Sequence, residues 1–227
     1  GDGAGQAVQK YDPAKLAAFE AHWHTNPPGE GAAFAVLAWP DPERQDNAWS
    51  IEIPYVLSLL TDHSITGQVQ GLRDFPREDR PPVALPFYAF RIMVGAGFAL
   101  LALALWTLWV WRRGGLDPER VSARKWLLRA WMAAVPLSYL AMETGWVTRE
   151  VGRQPWAIHG MLRTGESASQ VPAGTVAASL FAFALVYAFL AFVFYFFARR
   201  IIARGPDPQA GSPAGRSFSG EGRYGVA

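Results

Sequence analysis

The chain has 227 residues, with 21 Lys/Arg against 19 Asp/Glu for a formal charge of +2. It is 51 % hydrophobic and only 18 % charged, below the roughly one quarter usual in soluble domains, which excludes an intrinsically disordered chain. It contains no Cys, which excludes a disulfide framework, a thiolate metal site, a Cys nucleophile and an iron–sulfur cluster. The charge is divided unevenly. Residues 1–81 hold six Lys/Arg and twelve Asp/Glu, and residues 82–227 hold fifteen and seven. The basic excess flanks apolar segments instead of forming one face, so it indicates a lipid bilayer and not nucleic acid.

In chain order, residues 1–84 form a polar region. PAKLAAFEAHWHT at 13–25 predicts a short amphipathic helix, because Leu16, Phe19 and Trp23 recur at spacings of three and four. AAFAVLAWP and AWSIEIPYVLSLL are apolar stretches between Pro-rich and acidic ones, the second readable as a strand or an interfacial helix. Residues 85–204 predict three transmembrane helices, at about 85–111, 126–147 and 171–198. Residues 171–198 carry no charge, and a helix needs about 20 apolar residues to cross the hydrocarbon core. The middle segment is weaker, since it contains Arg129, Pro136 and Glu143.

Arg112, Arg113, Arg120, Arg124 and Lys125 follow the first segment, and Arg199, Arg200 and Arg204 end the third. The positive-inside rule makes both places cytoplasmic and puts residues 1–84 and 148–170 outside. Residues 205–227 are rich in Gly, Pro and Ser and read as a disordered cytoplasmic tail. The chain starts at Gly1, and no signal pattern precedes the outer region. The expectation is a processed chain or a fragment of a longer membrane protein.

Charged residues in or beside spans are functional candidates. Arg91 and Met93 lie near the outer end of the first segment. A Met thioether can ligate haem iron, although a Met in an apolar helix usually fills space. Arg91 can neutralise a propionate through paired hydrogen bonds. The two side chains leave the helix about 200° apart, so one flat group meets both only by lying along it. Glu150 and Arg153 share a helix face at i, i+3, where the plain alternative is an ion pair at a helix end; Gly152 and Pro155 predict that end. Lys15 and Glu20 lie on the outer helix, where a carboxylate can take a proton from a hydroxyl group and the plain alternative is a solvated face. His22 and His24 form an H-x-H pair without further ligands. No His falls within a span, so the spans supply no imidazole ligand.

KLAAFEAHW, IEIPYVLSLLTDHS, FYAFRIMVGAG and GWVTREVGRQPWAI together resemble subunit I of the cytochrome bd quinol oxidases. The resemblance runs from about Lys15 to Phe197. It implies an all-α integral membrane protein, a helical bundle whose last three of nine spans, with part of a periplasmic quinol-binding loop, are present here. It implies that Met93 is an axial ligand of a low-spin haem b (b558), with Arg91 beside it. It implies that Glu150 ligates the high-spin haem b (b595), with Trp146 and Arg153 next to the oxygen site, which holds haem d or a third haem b. Lys15 and Glu20 match the pair implicated in quinol oxidation. The resemblance assigns no role to Glu143. The His ligands of the family belong to a part not present in this chain. The short stretch between Ser64 and Phe90 resembles the short-loop members, including the cyanide-insensitive type.

The implied function is oxidation of membrane quinol and reduction of oxygen to water in the bacterial inner membrane. The resemblance also implies subunit II and a small accessory subunit as partners. Such an oxidase contributes to the proton-motive force, and this piece alone is expected to be inactive. The alternative is a non-enzymatic three-span anchor or assembly subunit. It accounts for the spans but not for Arg91, Glu150 and Arg153.

Overall fold

The computed structural model describes residues 2–116 and 124–205. The expected disorder of the tail therefore falls outside the described residues beyond Gly205, as does Arg120. The chain divides into two units, Gly1–Ala168 and Ser169–Ala227.

In the first unit, α1 (Asp2–Tyr11) leads into α2 (Pro13–Glu20). Asp12 accepts a hydrogen bond from the Lys15 amide at 3.3 Å, and Pro13 follows in the first turn. That is an N-cap with a proline where its missing donor costs nothing. The helix ends at Ala21, whose φ of 51° closes it with a left-handed residue. It is therefore shorter than the expected 13–25. It is also buried on nearly every side instead of amphipathic. Leu16 and Phe19 pack with Ala32, Leu57 and Val69. Ala17 and Ala18 join Trp23, Ala35, Leu72 and Phe87 in a second cluster. The small alanines let α2 lie close to its neighbours, and completely burying Phe87 contributes about 1.5–3 kcal/mol.

The apolar stretches at 34–53 are strands, which departs from the all-α expectation. β1 (Phe34–Asp41) and β2 (Asp46–Ile53) pair antiparallel, with Phe34 opposite Ile53 and Asp41 opposite Asp46. Asp41 holds the turn by accepting from the amides of Glu43 and Arg44 at 3.0 and 3.1 Å. AWSIEIPYVLSLL thus divides between β2 and α3 (Val56–Asp62). Pro54, between the two, has no amide hydrogen to extend the ladder. Buried Asn26 ties the following loop down: its side chain donates to Gly67 O at 3.0 Å and accepts from the Val69 amide at 2.7 Å.

α4 (Ala84–Arg112) and α5 (Lys125–Val151) form an antiparallel hairpin. Met93 meets Gly145 near one end. Trp131 Nε1 donates to Thr107 Oγ1 at 3.0 Å further along. Leu103, Val110, Leu127 and Ala134 form its core. The helix of α5 continues through Pro136 and ends at Gly152, at the predicted place. Two short strands follow, β3 (Trp156–Ile158) and β4 (Leu162–Arg163), held to the segment before α4 by Arg163 and Asp79 at 2.6 Å.

The second unit contains α6 (Ala173–Arg204), none of whose residues is buried. Among the described residues, α4 and α6 are long and apolar enough to cross a membrane. The chain is mostly helical, with two membrane-capable helices. α5 has the length but carries Arg129, Glu143, Arg149 and Glu150.

Candidate functional site

Glu20 is the last residue of α2, and Arg91 lies two turns into α4. The fold of α2 against α4 brings them together, 71 positions apart in sequence. Arg91 Nη2 donates to Glu20 Oε2 at 2.6 Å. Arg91 Nε donates to Ala35 O of β1 at 2.8 Å. The guanidinium carbon stands 4.3 Å from the ring centre of Phe34 and 4.7 Å from that of Phe87, with Phe90 at 5.4 Å. Such aromatic faces attract a cation. The two side chains are only 4 % and 10 % exposed. Burial raises the Glu20 carboxyl from 4.5 to about 7, and Arg91 acts in the opposite direction. Arg91 Nη1 is the only buried side-chain nitrogen or oxygen without a hydrogen-bond partner among the described residues.

Met93 leaves α4 in another direction. Its sulfur lies against Gly145 of α5, where an added Cβ would stand 2.9 Å from it. The divergence expected from their spacing is present: Arg91 faces α2 and β1, and Met93 faces α5. A soft thioether, half-buried and seated on a bare backbone, is a donor suited to haem iron. The orphaned Nη1 is a donor suited to a propionate oxygen. These residues fit the haem that the sequence suggests.

Lys15 and Glu20 turn to different partners. Five residues along a helix rotate them about 140° apart. Lys15 Nζ donates to Arg149 O at 3.0 Å, at the last turn of α5. Helix carbonyls there lack intrahelical donors and attract cations. Burial lowers the Lys15 ammonium, Asp12 counters it, and Arg149 and Arg153 add to the lowering. Beside it, Arg153 Nη2 meets Glu150 Oε2 at 2.7 Å, and Arg149 Nε stands 3.8 Å from Glu150 Oε1. Asp12 completes this end with His159 at 3.2 Å. Burial raises the Asp12 carboxyl, while His159 and Lys15 lower it. Trp146 and Glu143 are exposed on α5. Spacings of three and seven put Glu143, Trp146 and Glu150 on one helix face. His22 and His24 diverge: His22 Nε2 lies 3.3 Å from Val69 O, and His24 Nε2 lies 3.9 Å from Asp46.

Sequence reasoning missed four participants: the Phe34 ring and Ala35 carbonyl around Arg91, Gly145 under Met93, and the Arg149 carbonyl at Lys15. Phe87, four residues before Arg91, was the one neighbour readable from helical spacing.

The family model described as cytochrome bd terminal oxidase subunit I matches residues 1–206. The chain belongs to this family. Among its cytochrome bd relatives, the ubiquinol oxidase subunit 1 of Bacillus subtilis (strain 168) is 34 % identical over 210 residues, covering 88 % of this chain and 43 % of that protein. The bd-II ubiquinol oxidase subunit 1 of Escherichia coli (strain K12) is 30 % identical over 245 residues, covering 79 % and 46 %. That alignment is longer than this whole chain, so the relative carries residues that this chain lacks. The bd oxidase structure from Geobacillus thermodenitrificans superimposes with a TM-score of 0.71 at 33 % identity, covering 90 % of this chain and 45 % of that one. The chain thus spans a little under half the length of the cytochrome bd proteins it matches.

Proposed function

We propose that this chain forms the C-terminal part of subunit I of a bacterial quinol:oxygen oxidoreductase and works only within the complete complex, beside subunit II and a small accessory subunit. In this reading α4, α5 and α6 are the last three of nine spans in the inner membrane. Residues 1–84 lie on the periplasmic side and the C-terminus is cytoplasmic. α5 crosses despite its charges because Arg129 stands near its start and Glu143 and Glu150, towards its other end, face a hydrated cavity of the bundle.

The observation that carries the reading is the buried Glu20–Arg91 pair, which joins the outer region to the helix of Met93. Quinol oxidation releases two electrons and two protons. Glu20 takes one proton from a quinol hydroxyl, and a carboxyl near 7 is poised to accept it and give it up again at neutral pH. Arg91 holds that carboxylate and keeps Nη1 for a propionate. Met93 and Glu150 would hold the irons of a low-spin and a high-spin haem b, and a haem d or third haem b would complete the set. Haem, when bound, supplies one-electron transfer and the iron at which oxygen is reduced. Trp146 and Arg153 line the ligating face of α5. Lys15 keeps the outer region registered on the end of α5 that bears Glu150.

The test is a reduced-minus-oxidised optical spectrum of the full complex with added quinol. Met93→Leu removes the low-spin haem b signal, whereas Glu20→Gln keeps the bands and slows quinol oxidation by about 100-fold or more. Unchanged bands in Met93→Leu sink the ligand assignment, and a haem-free native complex leaves the anchor reading.

A further inference from the structure

A cavity of about 190 Å³ opens between the end of α2 and the β1–β2 hairpin, with Glu20, His22, His24, Asp46 and Glu52 on its walls. These groups grade outward. Glu20 is buried, His22 is half-buried, and His24, Asp46 and Glu52 are exposed. A cavity of this size is far above the ~15 Å³ that one water needs, so it has room for several waters beside its polar groups.

His22 is set up as a relay. Its Nε2 lies 3.3 Å from Val69 O, and a carbonyl only accepts, so Nε2 carries the hydrogen and Nδ1 keeps a lone pair. Burial lowers the imidazole's affinity for a proton, countered by the Val69 carbonyl and by Glu52. Burial thus favours the neutral imidazole, whose Nδ1 lone pair can take a proton and release it. Arg91 donates to Glu20 Oε2, and the Phe34 and Phe87 rings pack on that guanidinium; none of these three groups can accept a proton from Glu20. The cavity, which Glu20 also lines, offers titratable groups that can.

We propose that this cavity is the outward exit for the proton that Glu20 takes from quinol, with His22 and Glu52 as its carriers. This rests on the reading of Glu20 as the proton acceptor. The step balances simply. The carboxylate gains one proton from the hydroxyl, passes it to cavity water and His22, and is a carboxylate again before the next quinol. The electrons do not pass this way. The cavity carries four titratable side chains besides Glu20 and mixes them with Ala21, Trp23, Ala33 and Ala35, whereas a site for a quinol ring is lined mostly by apolar groups.

The experiment uses the complete oxidase in lipid nanodiscs. In His22→Ala/Glu52→Gln, kcat for quinol falls by about tenfold, KM stays unchanged and the haem bands are intact. The solvent deuterium isotope effect rises, and added imidazole restores the rate. Glu52→Gln alone, on the exposed strand, gives the same direction if His22→Ala disturbs the fold. A full rate with an unchanged isotope effect overturns the exit, as does a loss that imidazole does not rescue. A raised KM at constant kcat also overturns it, because quinol itself then occupies the cavity. Glu20→Gln separates the two levels. If that variant is slow while the double variant is fast, only the exit falls. If Glu20→Gln runs at full rate, the proton acceptor falls and the exit with it.

Discussion

Two glutamate–arginine pairs of nearly equal length sit in opposite surroundings. Glu20 and Arg91 meet at 2.6 Å with side chains 4 % and 10 % exposed. Glu150 and Arg153 meet at 2.7 Å with side chains 37 % and 44 % exposed. The first pair spans 71 positions and two elements, while the second is three positions apart at a helix end. In the buried pair, desolvation outweighs the attraction, so the carboxyl rises to about 7 despite the guanidinium. In the exposed pair, water screens both charges and the bond contributes about 0–1 kcal/mol. Contact distance therefore does not assign chemistry here. Burial makes Glu20 a proton-active group near neutrality, and exposure leaves the Glu150 carboxylate accessible to partners besides Arg153.

The largest effect that tests this contrast comes from Arg91→Met. On the proposed function Glu20 acts as a base only as a carboxylate, so quinol oxidation in the native complex is expected to fall as pH drops through about 7. Arg91 is what lowers that value, so its loss moves the limb upward, and each unit costs about tenfold in rate at neutral pH. Thermodynamic linkage has the matching sign. The folded carboxyl binds its proton more tightly than the unfolded one, so this group's stability contribution falls as pH rises between 4.5 and about 7. Removing one partner of a buried pair costs about 3–5 kcal/mol, and here the cost is greatest at high pH, where Glu20 is charged. Rate and melting temperature against pH measure both. A limb that stays near 7 removes Arg91 as the group setting the charge of Glu20.

The two pairs also differ in how far the sequence revealed them. Glu150 and Arg153 were visible as i, i+3 neighbours, and Gly152 marked the helix end, because helical geometry converts spacing into proximity. Glu20 and Arg91 were both singled out, yet each for another partner. Nothing local links residues separated by 71 positions, and the contact comes from the packing of α2 on α4, where Ala17 and Ala18 cluster with Phe87. The long apolar helices were legible from length and hydropathy. The strands at 34–53 were half-legible, since short apolar runs do not distinguish strand from helix. The placement of Lys15 on a carbonyl of α5 had no sequence signal, because a backbone acceptor leaves no trace in residue type.

The exposed pair gives a smaller effect. Arg153→Gln lowers the melting temperature of the complex only slightly, in keeping with about 0–1 kcal/mol, and several-fold less than Arg91→Met. An equal loss in the two variants breaks the contrast, since exposure would then not be what separates them.

The smallest effect is expected at Lys15, which links the two regions. Its ammonium caps the end of α5 through Arg149 O at 3.0 Å, an interaction of about 0.3–1 kcal/mol at a helix terminus. Lys15→Met therefore speeds amide hydrogen exchange in the last turn of α5 by about two- to fivefold and leaves the turn around Trp131 unchanged. Lys15→Arg, which keeps a charged donor, restores most of the protection. If exchange is unaltered while quinol oxidation falls, Lys15 acts on the quinol directly, and its place at the end of α5 is incidental to the chemistry. If protection is lost and the haem signal assigned to Glu150 shifts with it, the outer region and the ligating helix are mechanically one unit. The buried and the exposed pairs are then coupled through a single lysine.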